Sequence, residues 1–232
     1  MYNDAALSEI AVDLAGAATQ LTDAGLMRGW SGQLSARCAQ DGGYSIVLKR
    51  SGGSADDPAA YCRVDARGCV CEPADARSSL VTRVHCAIYE SRPDVHAVTQ
   101  CRGLYTDAVA AVLGEVPLSL ETYWALKAEP VVIDADALRS DTFDRYVDRM
   151  AAEVSRALAN SGGGTTAVCI PFYGMWVTGA SAAEVVVRAV ALEDLAKSAY
   201  LRLRLASGLG LPRPDFPAWF GDMLRNLPRP RV

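Results

Sequence analysis

Apolar residues recur at helical spacing from Asp4 to about Gly25, where Leu7, Ile10, Ala11, Leu14, Ala17, Ala18 and Leu21 fall on one stripe. The pattern then shortens to the period of strands. Runs at Gln33–Cys38 and Tyr44–Lys49 predict one hairpin, and Tyr61–Val64 with Cys69–Cys71, around the turn Asp65-Ala66-Arg67-Gly68, predict a second. A helix is expected from Ser79 to about Tyr89, ending before Pro93 because the residue preceding a proline is pushed out of the α region. Further strands are predicted at Val95–Cys101, Val131–Ile133, Thr166–Ile170 and Met175–Val177, and further helices at Tyr105–Val112 and Ser140–Asn160. The last long helix should begin at Ser181, capped with the help of Glu184, and run to about Ala206. Hairpins interleaved with helices point to an α/β fold layered around a largely antiparallel sheet.

The Gly/Ser stretches at Ser51–Ser54 and Ser161–Gly164 have the length of loops and not of linkers, so residues 1–210 read as one domain and 211–232 as a Pro-rich tail. No apolar run reaches the length of a bilayer span, and the N-terminal MYNDAALSEIAVD carries acids where a signal peptide carries basic residues. A cytoplasmic protein is expected. The net charge of -4, with arginines scattered along the chain, gives no footprint for nucleic acid, which leaves a small molecule or a protein as the partner. Seven cysteines, an odd number, read as reduced thiols. Cys62, Cys69 and Cys71 should share one face of the second hairpin, but without Cys-x-x-Cys spacing they read as packed thiols, not zinc ligands. With two histidines, the chain cannot build a three-histidine zinc site. His85 and His96 have no acid or nucleophile beside them in sequence and read as structural.

Several segments, in order, resemble the class II aldolase/adducin family. Gly32-Gln33-Leu34-Ser35-Ala36-Arg37 is similar to that family's Gly-Asn-x-Ser-x-Arg stretch, and Lys49-Arg50-Ser51-Gly52 to its Thr-Pro-Ser/Thr-Gly loop. Ser78-Ser79, His85, Tyr89 and Arg92-Pro93-Asp94 are similar to its Ser-Ser-Glu helix start followed by His, Tyr and Arg-Pro-Asp. The resemblance implies a three-layer α/β domain with a central, largely antiparallel sheet flanked by helices, assembled as a homotetramer with sites between subunits. It also locates two losses. The family's zinc-binding histidines match Gln100, Arg102 and Tyr173, and its catalytic glutamate matches Val81 or Leu80.

Alternation on a strand should send Gln100 and Arg102 to one face and Cys101 to the other. A guanidinium there supplies fixed charge and a donor fork, and Gln100 and Tyr173 add hydrogen bonds, in the manner of an oxyanion hole. The family's phosphate grip matches Gly32, Gln33, Lys49, Ser51, Gly52, Ser78 and Ser79; small residues let backbone amides approach an anion, and serines at a helix start add the positive end of the helix dipole. The other reading of these residues is N-caps and turn formers. The expectation is a lyase or isomerase needing no metal and no cofactor, acting on a small anionic, oxygenated substrate in bacterial specialised metabolism. The alternative is a non-catalytic oligomerising protein, a pseudoenzyme on the same scaffold.

Overall fold

The computed structural model describes residues 4–28, 31–40, 43–49, 54, 56–73, 78–117, 125–126, 128–160 and 165–212. Helix α1 (Asp4–Asp23) leads into the hairpin β1 (Gln33–Gln40) and β2 (Gly43–Lys49), followed by β3 (Tyr61–Val64) and β4 (Val70–Glu72). Helix α2 (Thr82–Ser91), strand β5 (Ala97–Cys101), helix α3 (Leu104–Leu113) and the short β6 (Val131–Val132) come next. Helix α4 (Phe143–Asn160), strands β7 (Ala167–Ile170) and β8 (Gly174–Gly179), and helix α5 (Ala182–Gly208) complete the described chain.

The eight strands form one sheet in the order β4-β3-β2-β1-β5-β8-β7-β6. Every pairing is antiparallel except β6 on β7. Because side chains alternate across a strand, each face of the sheet collects its own apolar set. One face carries Leu34, Val47, Cys101, Met175 and Val177 against α1, α3 and α5, whose Leu14, Leu21, Val109, Val185, Ala189 and Leu192 close that core. The opposite face carries Ile46, Leu48, Val98, Val168 and Trp176 against α2 and α4. Helix α4 shows the sequence logic plainly: Val147, Met150, Ala151, Val154 and Leu158 are buried at helical spacing, and the polar residues between them face outward. The three-layer architecture expected from the sequence is therefore present.

Three local expectations need correction. Helix α2 starts at Thr82, not Ser79, because Ser79–Val81 form a turn whose carbonyls already accept from Thr82, Arg83 and Val84 N–H (3.0, 3.3 and 3.0 Å). The N-cap is Val81, with no side-chain cap, so the serines do not cap this helix. In the second hairpin, a register shift at Arg63/Val64 separates the cysteines: Cys62 is buried, whereas Cys69 and Cys71 are exposed. At α5, Ser181 Oγ accepts from Glu184 N–H (3.2 Å) as expected, but the Glu184 carboxylate accepts from Ala180 N–H (2.6 Å) in place of the cap residue's own amide.

Candidate functional site

The ends of β5 and β8 meet the loop after α1 to form a pocket of about 420 Å³, lined by Leu26, Arg28, Ser31, Gly32, Gln100, Arg102, Leu104, Asp107, Phe172 and Tyr173. Strand pairing explains why these residues converge. Gln33 pairs with Gln100 across β1 and β5, and Gln100 pairs with Trp176 across β5 and β8. The segment Phe172-Tyr173 is the turn between β7 and β8, so it sits beside the end of β5. Two glycines permit the close approach. Gly174 adopts φ +135, where a Cβ would come 2.5 Å from the carbonyl oxygen of Cys101; Gly32 adopts φ +91, where a Cβ would meet Met27 at 2.5 Å.

Gln100, Arg102 and Tyr173 thus line the same pocket, while Cys101 is buried in the core behind it. Arg102 is tied down: its Nη2 donates to the carbonyl of Phe172 (2.9 Å) and faces Asp107 Oδ2 (3.3 Å). Asp107 Oδ1 accepts the Phe172 N–H at 2.5 Å. Phe172 has φ +68, alone among the described non-glycine residues in the left-handed region, and the two clamps hold it there. Tyr173 lies parallel to Trp176 (6.5 Å between ring centres) and near Tyr146 (6.2 Å). Burial, with a smaller contribution from Tyr146, pushes the Tyr173 phenol well above the usual tyrosine range, so it is a proton donor and not a base at neutral pH.

The expected anion-binding residues divide. Gly32 lines the pocket, and Gln33 is buried beside it, with Nε2 donating to the Lys49 carbonyl (3.3 Å) and Oε1 without a partner among the described residues. Lys49 itself follows Leu48 on β2 and pairs with Tyr61, so its side chain lies on the α1 face, across the sheet from Gln33. Burial lowers its pKa. Ser78 and Ser79 are half-buried, and Ser78 Oγ donates to the Gly68 carbonyl (3.4 Å). Neither serine lines the pocket. Ser51 and Gly52 lie outside the described residues.

Sequence reasoning missed Asp107 and Arg28. Asp107 sits one turn into α3, in a segment read only as a packing helix, and its partners are 5 and 65 residues away. Arg28 sits in a loop that the strand and helix patterns skip. A third omission is Glu193 on α5, whose carboxylate accepts from Tyr105 N–H (2.9 Å), Thr106 N–H (2.9 Å) and Thr106 Oγ (2.7 Å) and so caps the start of α3 from a distance. The buried His85 is structural: its Nδ1 meets Ser35 Oγ at 2.7 Å, and Ser35 Oγ meets Tyr89 OH at 2.9 Å.

The donor set does not fit a divalent metal. Among the described residues no group of three or more His, Cys, Asp or Glu side chains could hold a metal ion, and the pocket presents two guanidinium groups and one carboxylate.

The chain matches the family model described as the Class II Aldolase and Adducin N-terminal domain over residues 12–200. No curated protein matches it significantly. Among solved structures it resembles YgbL, a putative aldolase/epimerase/decarboxylase from Escherichia coli, at TM-score 0.73 and 19% identity, covering 95% of this chain and 99% of that one. An aldolase II superfamily protein from Pseudomonas syringae superposes at TM-score 0.74 with 18% identity, covering 96% and 86%. The L-fuculose-1-phosphate aldolase from Thermus thermophilus does so at 0.66 with 21% identity, covering 87% and 98%. At these identities the structural likeness speaks for the fold, while the family match spans most of the chain. This protein belongs to the class II aldolase/adducin family.

Proposed function

We propose that the chain is a metal-independent lyase or isomerase acting on a small anionic, oxygenated substrate. What supports the reading is the convergence of Gln100, Arg102 and Tyr173 on one pocket. Their chemistry suits a reaction through an enolate. The Gln100 amide and the Arg102 guanidinium donate to a developing oxyanion, and the Tyr173 phenol, kept protonated by burial, donates a hydrogen bond or a proton to it. Asp107 is the one carboxylate lining the pocket among the described residues and takes the substrate proton in this scheme. Fixed positive charge takes the place of a Lewis acid, and an arginine at this position repels a cation.

A second reading has its own support. Arg102 is already bonded to Asp107 and Phe172, as expected of a side chain that fills a vacated site in a non-catalytic scaffold. The variant Arg102→Met separates the two. In the enzyme reading it abolishes turnover of a responsive carbonyl substrate at temperatures where the variant, although lowered in melting temperature by the lost restraint on Phe172, is still folded. A change confined to stability would sink that reading, and stoichiometric zinc or iron in the purified protein would overturn metal independence.

The same proposal includes self-association. Leu201 and Leu205 near the end of α5 and Leu209 at its C-cap recur every four residues and are 53%, 64% and 64% exposed. Such a stripe suits a helix-on-helix contact between copies. Leu205→Glu should then lower the mass measured by light scattering, and an unchanged mass would remove this stripe from the interface.

A further inference from the structure

Arg28 and Arg102 line one pocket but differ in what they are free to do. Arg102 spends a guanidinium nitrogen on Phe172 and has its charge offset by Asp107. Arg28 is exposed and has no ion-pair or hydrogen-bond partner for its side chain among the described residues. The backbone that carries it is fixed on both sides. Leu26 and Met27 N–H bond to the Leu21 carbonyl (2.8 and 3.2 Å), Arg102 N–H bonds to the Leu26 carbonyl (2.9 Å), and Ser31 N–H closes on the Arg28 carbonyl (2.7 Å). Leu26 and Met27 are buried beneath it. Among the described residues, two arginines and one aspartate leave the lining with one uncompensated positive charge, and Arg28 carries it.

The remainder of the lining is unusually apolar at its rim. Leu104 is 65% exposed and Phe172 73% exposed, and Phe172 is held there in a left-handed conformation that a β-carbon disfavours. A ring kept in water at a conformational cost calls for a contact with something else. Leu26 extends the same apolar wall inward.

We infer that Arg28 grips a substrate carboxylate while Leu104 and Phe172 receive an apolar body attached to it, so that the substrate is an amphipathic carboxylate and not a polyhydroxylated phosphate. This rests on the reading of the pocket as a substrate site and narrows its substrate class. A single spare positive charge matches a monoanion, and a guanidinium binds a carboxylate through two parallel hydrogen bonds. A dianionic phosphate would leave net negative charge beside Asp107. Sugar hydroxyls laid against leucine and phenylalanine would lose their water without gaining partners. The pocket, about 420 Å³, has room for a body the size of one ring.

Isothermal titration of the purified full-length chain with phenylpyruvate, pyruvate and dihydroxyacetone phosphate tests this. Phenylpyruvate should bind at least tenfold more tightly than either of the others. Arg28→Met should weaken it tenfold or more, with Arg28→Lys intermediate, and Arg102→Met should weaken it less than Arg28→Met does. Phe172→Ala should remove the preference for phenylpyruvate over pyruvate. Melting curves of each variant confirm that the fold is kept, which the exposure of Arg28 leads us to expect. Tighter binding of the phosphate, or binding that ignores Arg28, overturns this inference alone. Failure of all three probes to bind the parent overturns the substrate-site reading, and this inference falls with it.

Discussion

The carboxylate of Asp107 accepts the backbone N–H of Phe172 at 2.5 Å, across 65 residues of sequence, and so fixes the turn that presents Tyr173. The same carboxylate meets Arg102, which grips the Phe172 carbonyl, and the unfavourable φ of Phe172 is thereby held from both ends. Asp107→Ala should lose about 0.5–1.5 kcal/mol of stability in denaturant unfolding, since it removes the acceptor of an exposed amide and one of the two restraints on a strained residue. Phe172→Asn should move the other way, by up to about 1 kcal/mol, because asparagine tolerates the left-handed region. A neutral Asp107→Ala would mean that the turn holds itself.

Glu193 joins α5 to the start of α3, the helix that carries both Leu104 and Asp107. Glu193→Ala strands two amides at the helix start and should cost about 1–3 kcal/mol, read from the denaturation midpoint. Glu193→Gln keeps an acceptor and should recover part of the loss. Ligand affinity in the pocket should fall with Glu193→Ala although no atom of Glu193 lines it; unchanged affinity would show that α3 keeps its place without this cap.

His85 sets a pH dependence. Complete burial against Ser35, Tyr89 and Trp176 pushes its pKa from 6.5 down to about 3. Above pH 6.5 the ring is neutral in both folded and unfolded chains, and its contribution is fully present. As pH falls below that value the unfolded chain takes up a proton that the folded chain refuses, and stability drops by about 1.4 kcal/mol per pH unit until the folded pKa is approached. Chemical denaturation at several pH values between about 7 and 4 should show this slope. His85→Gln should flatten it by one proton, and an equal slope in the variant would assign the effect to carboxylates.

Thiol chemistry gives a test of the two-faced sheet. Cys69 and Cys71 are exposed, whereas Cys38, Cys62, Cys86, Cys101 and Cys169 are buried. Burial, assisted by Asp65, raises the Cys86 thiol to about 11, and burial raises Cys169 to about 12. A disulfide reagent at mildly alkaline pH should therefore modify two thiols quickly in the folded protein and all seven after denaturation. Mass spectrometry should place the fast pair at Cys69 and Cys71. Rapid reaction at Cys62 would place that strand at the surface.

Local pattern and site differ in how well they can be read from the sequence. The helices and strands follow from local pattern, because a buried stripe such as Val147 to Leu158 or a short apolar run such as Ile46 to Leu48 is written in neighbouring residues. The start of α2 is not legible in this way, because Ser78-Ser79 looks like a cap and only the turn at Ser79–Val81 shows that the first amides are already taken. The meeting of Gln100, Arg102 and Tyr173 is legible through family spacing. Their partners are not, since Asp107, Arg28 and Glu193 act through contacts between distant segments, and nothing in their immediate sequence marks them. Lys49 shows the same limit in reverse: adjacency to the Ser51-Gly52 loop suggests a shared site, but strand parity turns its side chain to the other face of the sheet.

The sheet ends on β4, three residues long, and on β6, two residues long. Each outer strand therefore offers too short a row of open amides and carbonyls to template another strand. Concentrated solutions of this protein should resist fibril seeding, and growth into larger species should stay helical in its far-ultraviolet signature instead of gaining β content.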